Sequence, residues 1–251
     1  MTKPTPASTT NPGAIETSPP PWRAGVAAAR ANLVPGAVLS AFAVGLLLAY
    51  WYVPAVNAAL TRLGEFKLAA GWAFVVVSTA VFGGLIPGLV QRARPRLRHT
   101  MPWKFLWFTV VFWAYKGLEV DLLYRLQAVW FGHGTDPTTI AKKIFIDMGV
   151  YCPVWAVPST VLAYAWGETV FSKNGSAAQA LAPIRQLGFR GWFGRDIVPV
   201  MISNWAVWVP AVCVIYCLPL ALQLPVQNLV LCFWSLLLVL QVGRDDEAVK
   251  N

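Results

Sequence analysis

Six apolar stretches, each near or above the length that crosses a bilayer, limit what this chain can fold into more than any other feature. They run from Leu33 to Val56, Ala70 to Val90, Phe105 to Phe131, Ile144 to Phe171, Val198 to Leu220 and Pro225 to Val242. A hydrocarbon core about 30 Å thick takes roughly 20 mostly apolar residues per helical span. With 57% hydrophobic residues in 251, the chain also carries more apolar side chain than a soluble core of its size needs. The stretches are continuous and do not alternate with a period of two, which argues against a lipid-facing β-barrel. The expected fold is all-α: a multi-pass transmembrane bundle of about six hydrophobic helices, making four to six spans. Only Gln223 and Pro225 separate the last two stretches, so five spans stand as the alternative to six.

Charge sets an orientation. With six spans, one side of the membrane receives Lys3, Arg23, Arg30, Arg92, Arg94, Arg96, Arg98, Lys104, Lys173, Arg185, Arg190, Arg195, Arg244 and Lys250, fourteen of the 20 Lys and Arg. The other side receives Arg62, Lys67, Lys142 and Lys143, while Lys116 and Arg125 lie inside the third stretch. Basic residues collect on the cytoplasmic side of a membrane protein. Both termini are therefore expected in the cytoplasm of a bacterium, at its inner membrane, or in the matrix if the membrane is the mitochondrial inner one. The net charge of +9 suits contact with anionic lipid head groups. Scattered over separate loops without an aromatic platform, the same charges argue against nucleic acid as a partner. Residues 1–30, rich in Pro, Thr and Ser, have too few large apolar side chains to offset the entropy of ordering and read as a tail. The segment 31–69 is a first transmembrane helix with its connection, 70–243 the main bundle, and 244–251 a short charged tail.

The third stretch carries Lys116, Glu119, Asp121 and Arg125, costly in a bilayer unless paired or hydrated. Lys116 and Glu119 are spaced i,i+3 and Asp121 and Arg125 i,i+4, as helical ion pairs require. At 100° per residue the two pairs face nearly opposite ways, so this helix is expected to be surrounded by others or to border a wet cavity. The charges then either fix helix register or line a solute pathway. Asp147, one turn into the fourth span, is expected to bridge to Arg125 or to stabilise its own helix start. Pro153 and Pro158 should kink that span and free backbone carbonyls. Gly84 and Gly88 form a close-packing pair. The segment Ala177 to Leu187 is expected to lie on the membrane surface, with Trp103, Trp166 and Trp192 as interface anchors.

Cys152, Cys213, Cys217 and Cys232 all fall within spans, where thiols pack as small hydrophobes. The histidines, His99 and His133, sit in loops, so neither a metal site nor a cofactor is expected. No Gly-flanked serine, phosphate loop or ligand cluster points to an enzyme.

Lys143, Asp147, Gly149 and Pro153, followed by Arg195, Asp196, Asn204 and Trp208 and then Pro219 and Trp234, resemble the signature of the Mpv/PMP family. That family comprises the peroxisomal 22-kDa membrane protein and its inner-mitochondrial-membrane relatives. Gly84 and Gln91 match the Gly and Gln of the family's first conserved helix. The resemblance covers roughly residues 70 to 242 and is that of a remote, bacterial-type branch. The chain departs from it at Pro87, Met148 and Gln223, where Asp, Gln and Arg are usual. It implies a small multi-pass membrane protein acting as a weakly selective channel or pore for small solutes, with homo-oligomers possible. The alternative is a structural, assembly or lipid-organising protein that transports nothing.

Overall fold

Prolines and apolar runs together punctuate the chain into helices. The computed structural model describes residues 20–248, with side chains to residue 239. The expected tail over residues 1–19 and the last residues of the charged C-terminus lie outside the described residues. Among the described residues eight helices account for the fold and no strand occurs. They are α1 (Pro21–Ala31), α2 (Leu33–Tyr52), α3 (Pro54–Ala70), α4 (Trp72–Ala93), α5 (Trp103–Phe131), α6 (Pro137–Ser172), α7 (Ala177–Tyr216) and α8 (Leu220–Ala248). Proline in the first turn, where no N–H is needed, opens α1, α3 and α6. Asp136 caps α6 by accepting from the Thr139 amide at 3.0 Å.

Among the described residues five helices are long and apolar enough to cross a membrane: α2, α4, α6, α7 and α8 through Val239. The protein is thus an all-α, multi-pass integral membrane bundle. Its remaining long helix, α5, has 29 residues and would reach about 43 Å. Charge lowers its hydropathy, yet Trp107, Val111, Tyr115, Leu122 and Val129 form an exposed apolar stripe along it. So of the two expectations for α5, enclosure by other helices or a border on a cavity, full enclosure does not hold. It shows one apolar face outward, buries Lys116 and Asp121, and leaves Arg125 at the surface.

Contacts sort the helix ends into two groups. At one end Ser172 Oγ donates to the Thr100 carbonyl at 3.2 Å and Arg94 Nη1 to the Val239 carbonyl at 3.0 Å. That gathers the end of α4, the start of α5, the end of α6 and the late part of α8. At the other end Trp51, His133 and Pro219 border one cavity, bringing together the α2–α3, α5–α6 and α7–α8 connections. The N-terminal helices run alongside the second half of α7 in the same direction. Gly25 abuts Pro199 and Ile202, Asn32 Nδ2 donates to Ser203 Oγ at 2.9 Å, and Gly36 abuts Val207. Leu39 and Ala43 then join Val207, Ala211 and Val214 in one buried cluster.

Four expectations shift. Residues 21–31 form a helix packed on α7 instead of continuing the tail, and 57–69, expected as a connection, falls within α3 (Pro54–Ala70). α3 lies over the start of α8, with Gly64 facing Ala221 and Leu222. The break between the last two spans falls at Cys217–Pro219, while Gln223 and Pro225 lie inside α8. Trp192 is no interface anchor: it is buried with Cys152, Val157 and Ile197.

Widened π-helical turns at Ala80–Leu85, Phe145–Ala156 and Phe193–Ile197 each precede a proline, at Pro87, Pro158 and Pro199. A proline cannot donate to the preceding turn and clashes with it, so the helix relaxes there. Pro153, inside the longest widened stretch, withholds the N–H that an i to i−5 pattern would give Met148, and Trp205 Nε1 donates to that carbonyl instead, at 2.9 Å. α4 meets α5 at backbone distance. A Cβ on Gly84 would lie 2.8 Å from Val110 Cα, and one on Gly117 would lie 2.5 Å from Thr79 Oγ1. At Gly188 α7 turns sharply through φ 66°, separating an arm with exposed Leu181 and Leu187 from the membrane-crossing half, which begins with exposed Phe189.

Candidate functional site

Two ion-paired groups branch from α5, as its spacing foretold, but they have different surroundings. Lys116 Nζ contacts Glu119 Oε1 at 2.7 Å and donates to Ser159 Oγ at 2.9 Å. Tyr151 also donates its hydroxyl to Glu119. This group ties α5 to α6. On the other side Asp121 is fully buried between Arg125 Nε at 2.6 Å and Lys67 Nζ at 2.7 Å. The Arg125 guanidinium lies over the Trp72 ring, 5.1 Å from its centre. Lys67 comes from α3, so this triad fastens α3 to α5.

Asp147 does not bridge to Arg125, whose partner is Asp121. Its Oδ2 accepts from the Tyr216 hydroxyl at 2.6 Å, and Gln127 Nε2 donates to that same hydroxyl oxygen at 2.9 Å. Tyr124 donates to Gln227, and its ring meets Tyr216 edge-on with centres 5.5 Å apart. Side chains from α5, α6, α7 and α8 thus make one polar layer across the bundle, with Asp147, Tyr124, Gln127 and Tyr216 all buried.

A cavity of about 520 Å³ approaches this layer from the end where α5 begins. Gln91, Met101 and Val239 line it near that end, and Tyr124, Asp147 and Gln227 lie at its inner limit. Lys116, Asn204, Trp208 and Trp234 stand along its walls. A second cavity of about 280 Å³ approaches from the opposite end, reaching Ala128, Lys143 and Gln223. On three helices the boundary is one turn thick: Tyr124 to Ala128, Asp147 to Lys143 and Gln227 to Gln223 are each four residues apart, a rise of about 6 Å.

The residues singled out in the sequence divide accordingly. Gly84, Gln91, Asp147, Asn204, Trp208 and Trp234 line the larger cavity, with Lys116. Lys143 and Pro219 line the smaller one. Glu119 stands behind Lys116, and Asp121 and Arg125 belong to the triad. Gly149 and Pro153 lie on the widened part of α6. Arg195 and Asp196 pair only with each other on the surface, at 2.8 Å, far from this chemistry in role. Sequence reasoning missed Tyr124, Gln127, Tyr216, Gln227 and Lys67. Glutamines inside apolar spans are costly unless partnered and were the available signal; a tyrosine in a span looks like core.

No group of three His, Cys, Asp or Glu arranged to hold a metal occurs among the described residues. No family model, curated protein or solved structure matches this chain.

Proposed function

We propose that this integral membrane protein is a passive pathway for small solutes, seen here closed. One observation carries the reading: two cavities enter from opposite ends of the bundle and stop on the same polar layer, one helical turn thick. A bundle serving only as a scaffold has no need of paired vestibules in register on three helices. The larger vestibule has the size of a small-ligand site, about 300–1,000 Å³, and offers Lys116, Asn204 and Thr160 among aromatic walls. Opening requires the Tyr216 hydroxyl to leave Asp147 and the Tyr124 ring to turn aside. The resemblance to the Mpv/PMP family supports the same reading of a weakly selective pore without enzymatic chemistry. In this proposal α5 is the sixth span, and both termini face the cytoplasm from a bacterial inner membrane, or the matrix from a mitochondrial one.

Flux through proteoliposomes tests the idea, with neutral and charged solutes of graded size. Size-limited flux is expected from the native chain, raised severalfold by Tyr216→Ala and altered for charged solutes by Lys116→Gln. No flux above empty liposomes from either the native or the Tyr216→Ala chain, shown to be folded and inserted, overturns the pathway. A structural or lipid-organising role would then stand in its place.

A further inference from the structure

The smaller cavity has a buried floor and an exposed rim. Lys143, Leu218 and Gln223 form the floor, each below 5% exposed, while Trp51, His133 and Thr135 at the rim are open. Lys143 is the anomaly. It is only 3% exposed, yet among the described residues its ammonium has no hydrogen bond and no carboxylate within ion-pair distance, so the nitrogen opens on the cavity without a charged partner. Asp147, one turn further along α6, is the obvious partner, but its Oδ2 is taken up by Tyr216. The Tyr216 ring lies 5.9 Å from Lys143 Nζ. Asp136 acts on Lys143 only from the start of the helix, two turns away. The other ammonium groups buried to this degree, Lys67 and Lys116, each have a carboxylate at 2.7 Å.

α8, a helix of 29 residues, starts on the wall of the same cavity at Pro219 and Leu220. In that first turn the Leu222 amide donates to the Pro219 carbonyl at 2.8 Å, which leaves the Leu220 and Ala221 amides to face an anion, and the dipole there favours negative charge. A cation without a carboxylate, set over the Tyr216 ring, and the N-terminus of a long helix therefore border one space, with Thr135 and His133 at its mouth. At liquid density 280 Å³ holds about nine waters, enough for a small hydrated anion.

We propose that this cavity binds a small oxyanion, a carboxylate or a phosphate, through the Lys143 ammonium and the first-turn amides of α8. The inference deepens the pathway reading, on which it rests for transport, by naming the class of solute that one vestibule selects; binding itself stands apart from flux. The oxyanion comes either from a free solute or from a lipid head group seated at the rim.

Isothermal titration of the purified full-length chain in lipid-free detergent, at constant ionic strength, tests the site with inorganic phosphate and with acetate. Saturable binding at one site is expected, weakened at least about tenfold by Lys143→Gln, as loss of a charged hydrogen bond implies, and retained by Lys143→Arg. Phosphate binding that a stoichiometric load of phosphatidylglycerol abolishes supports the site with a lipid head group as occupant; binding that persists supports a free anion. No saturable binding by the native chain, or equal binding by Lys143→Gln, overturns the proposal. Because no membrane separates two compartments in this measurement, a chain that binds but conducts nothing refutes the pathway alone, and one that conducts but does not bind refutes the anion site alone.

Discussion

Buried charge at single residues is where the chain is most exposed to substitution. Asp121 sits between Lys67 and Arg125 with essentially no solvent exposure. Asp121→Ala leaves the Lys67 ammonium buried without its carboxylate, so stability should fall by about 3–5 kcal/mol. Replacing both partners, as Lys67→Met with Asp121→Leu, should recover most of that loss, because a paired charge and a well-packed apolar pair are of similar worth. Thermal unfolding of the three chains in one detergent gives the comparison, and a double variant no better than Asp121→Ala would remove the triad from the account of stability. The pairs within α5 were legible because helical spacing alone brings i,i+3 and i,i+4 residues together. Lys67 was not, because its partner lies 54 positions away, and Asp147 was misassigned for the same reason: the choice of Tyr216 over Arg125 is made by packing among three helices.

Between elements, glycines set how closely α4 and α5 approach. Gly117→Ala places a methyl group 2.5 Å from Thr79 Oγ1 and 2.9 Å from the Val75 carbonyl, a conflict that should cost about 1–3 kcal/mol. Gly45→Ala in α2 meets nothing within 4 Å and should instead be neutral or stabilising by up to about 1 kcal/mol. Midpoints of unfolding measured side by side check both signs. The helices themselves were readable from span length, and the kinks of α6 from Pro153 and Pro158. α3 was not: its 17 residues mix Arg62, Glu65 and Lys67 with apolar positions, and of those charges Lys67 alone is buried, against Asp121 of α5. The charges that lower α5 in hydropathy are paired mainly within the helix itself, and Lys67 of α3 adds a second partner for Asp121.

For the whole molecule the two-ended arrangement of cavities makes a topological prediction. In a chain with its four cysteines replaced, Lys116→Cys should react with a membrane-impermeant thiol reagent from the side of the α4–α5 connection. Thr135→Cys should react only from the opposite side. Labelling of both from one side would contradict an end-to-end pathway, and full protection of Lys116→Cys would mean that the larger cavity is dry. The overall architecture follows from apolar length and turn chemistry, both written locally in the sequence. The cavities and the layer between them are not, because they are what remains after four helices have chosen their faces.

The thinness of the layer between the vestibules has an electrical consequence. If water fills both cavities, each becomes a conductor continuous with its own side, and the membrane potential falls across about 6 Å of protein instead of the full thickness of the bilayer. A charge crossing that layer then feels nearly the whole field, about 2.3 kcal/mol per elementary charge for every 100 mV. Asp147 and the Tyr216 dipole stand where the gradient is steepest, so the passage of a whole charge beside them, and not the turn of one hydroxyl, is what the transmembrane voltage would govern.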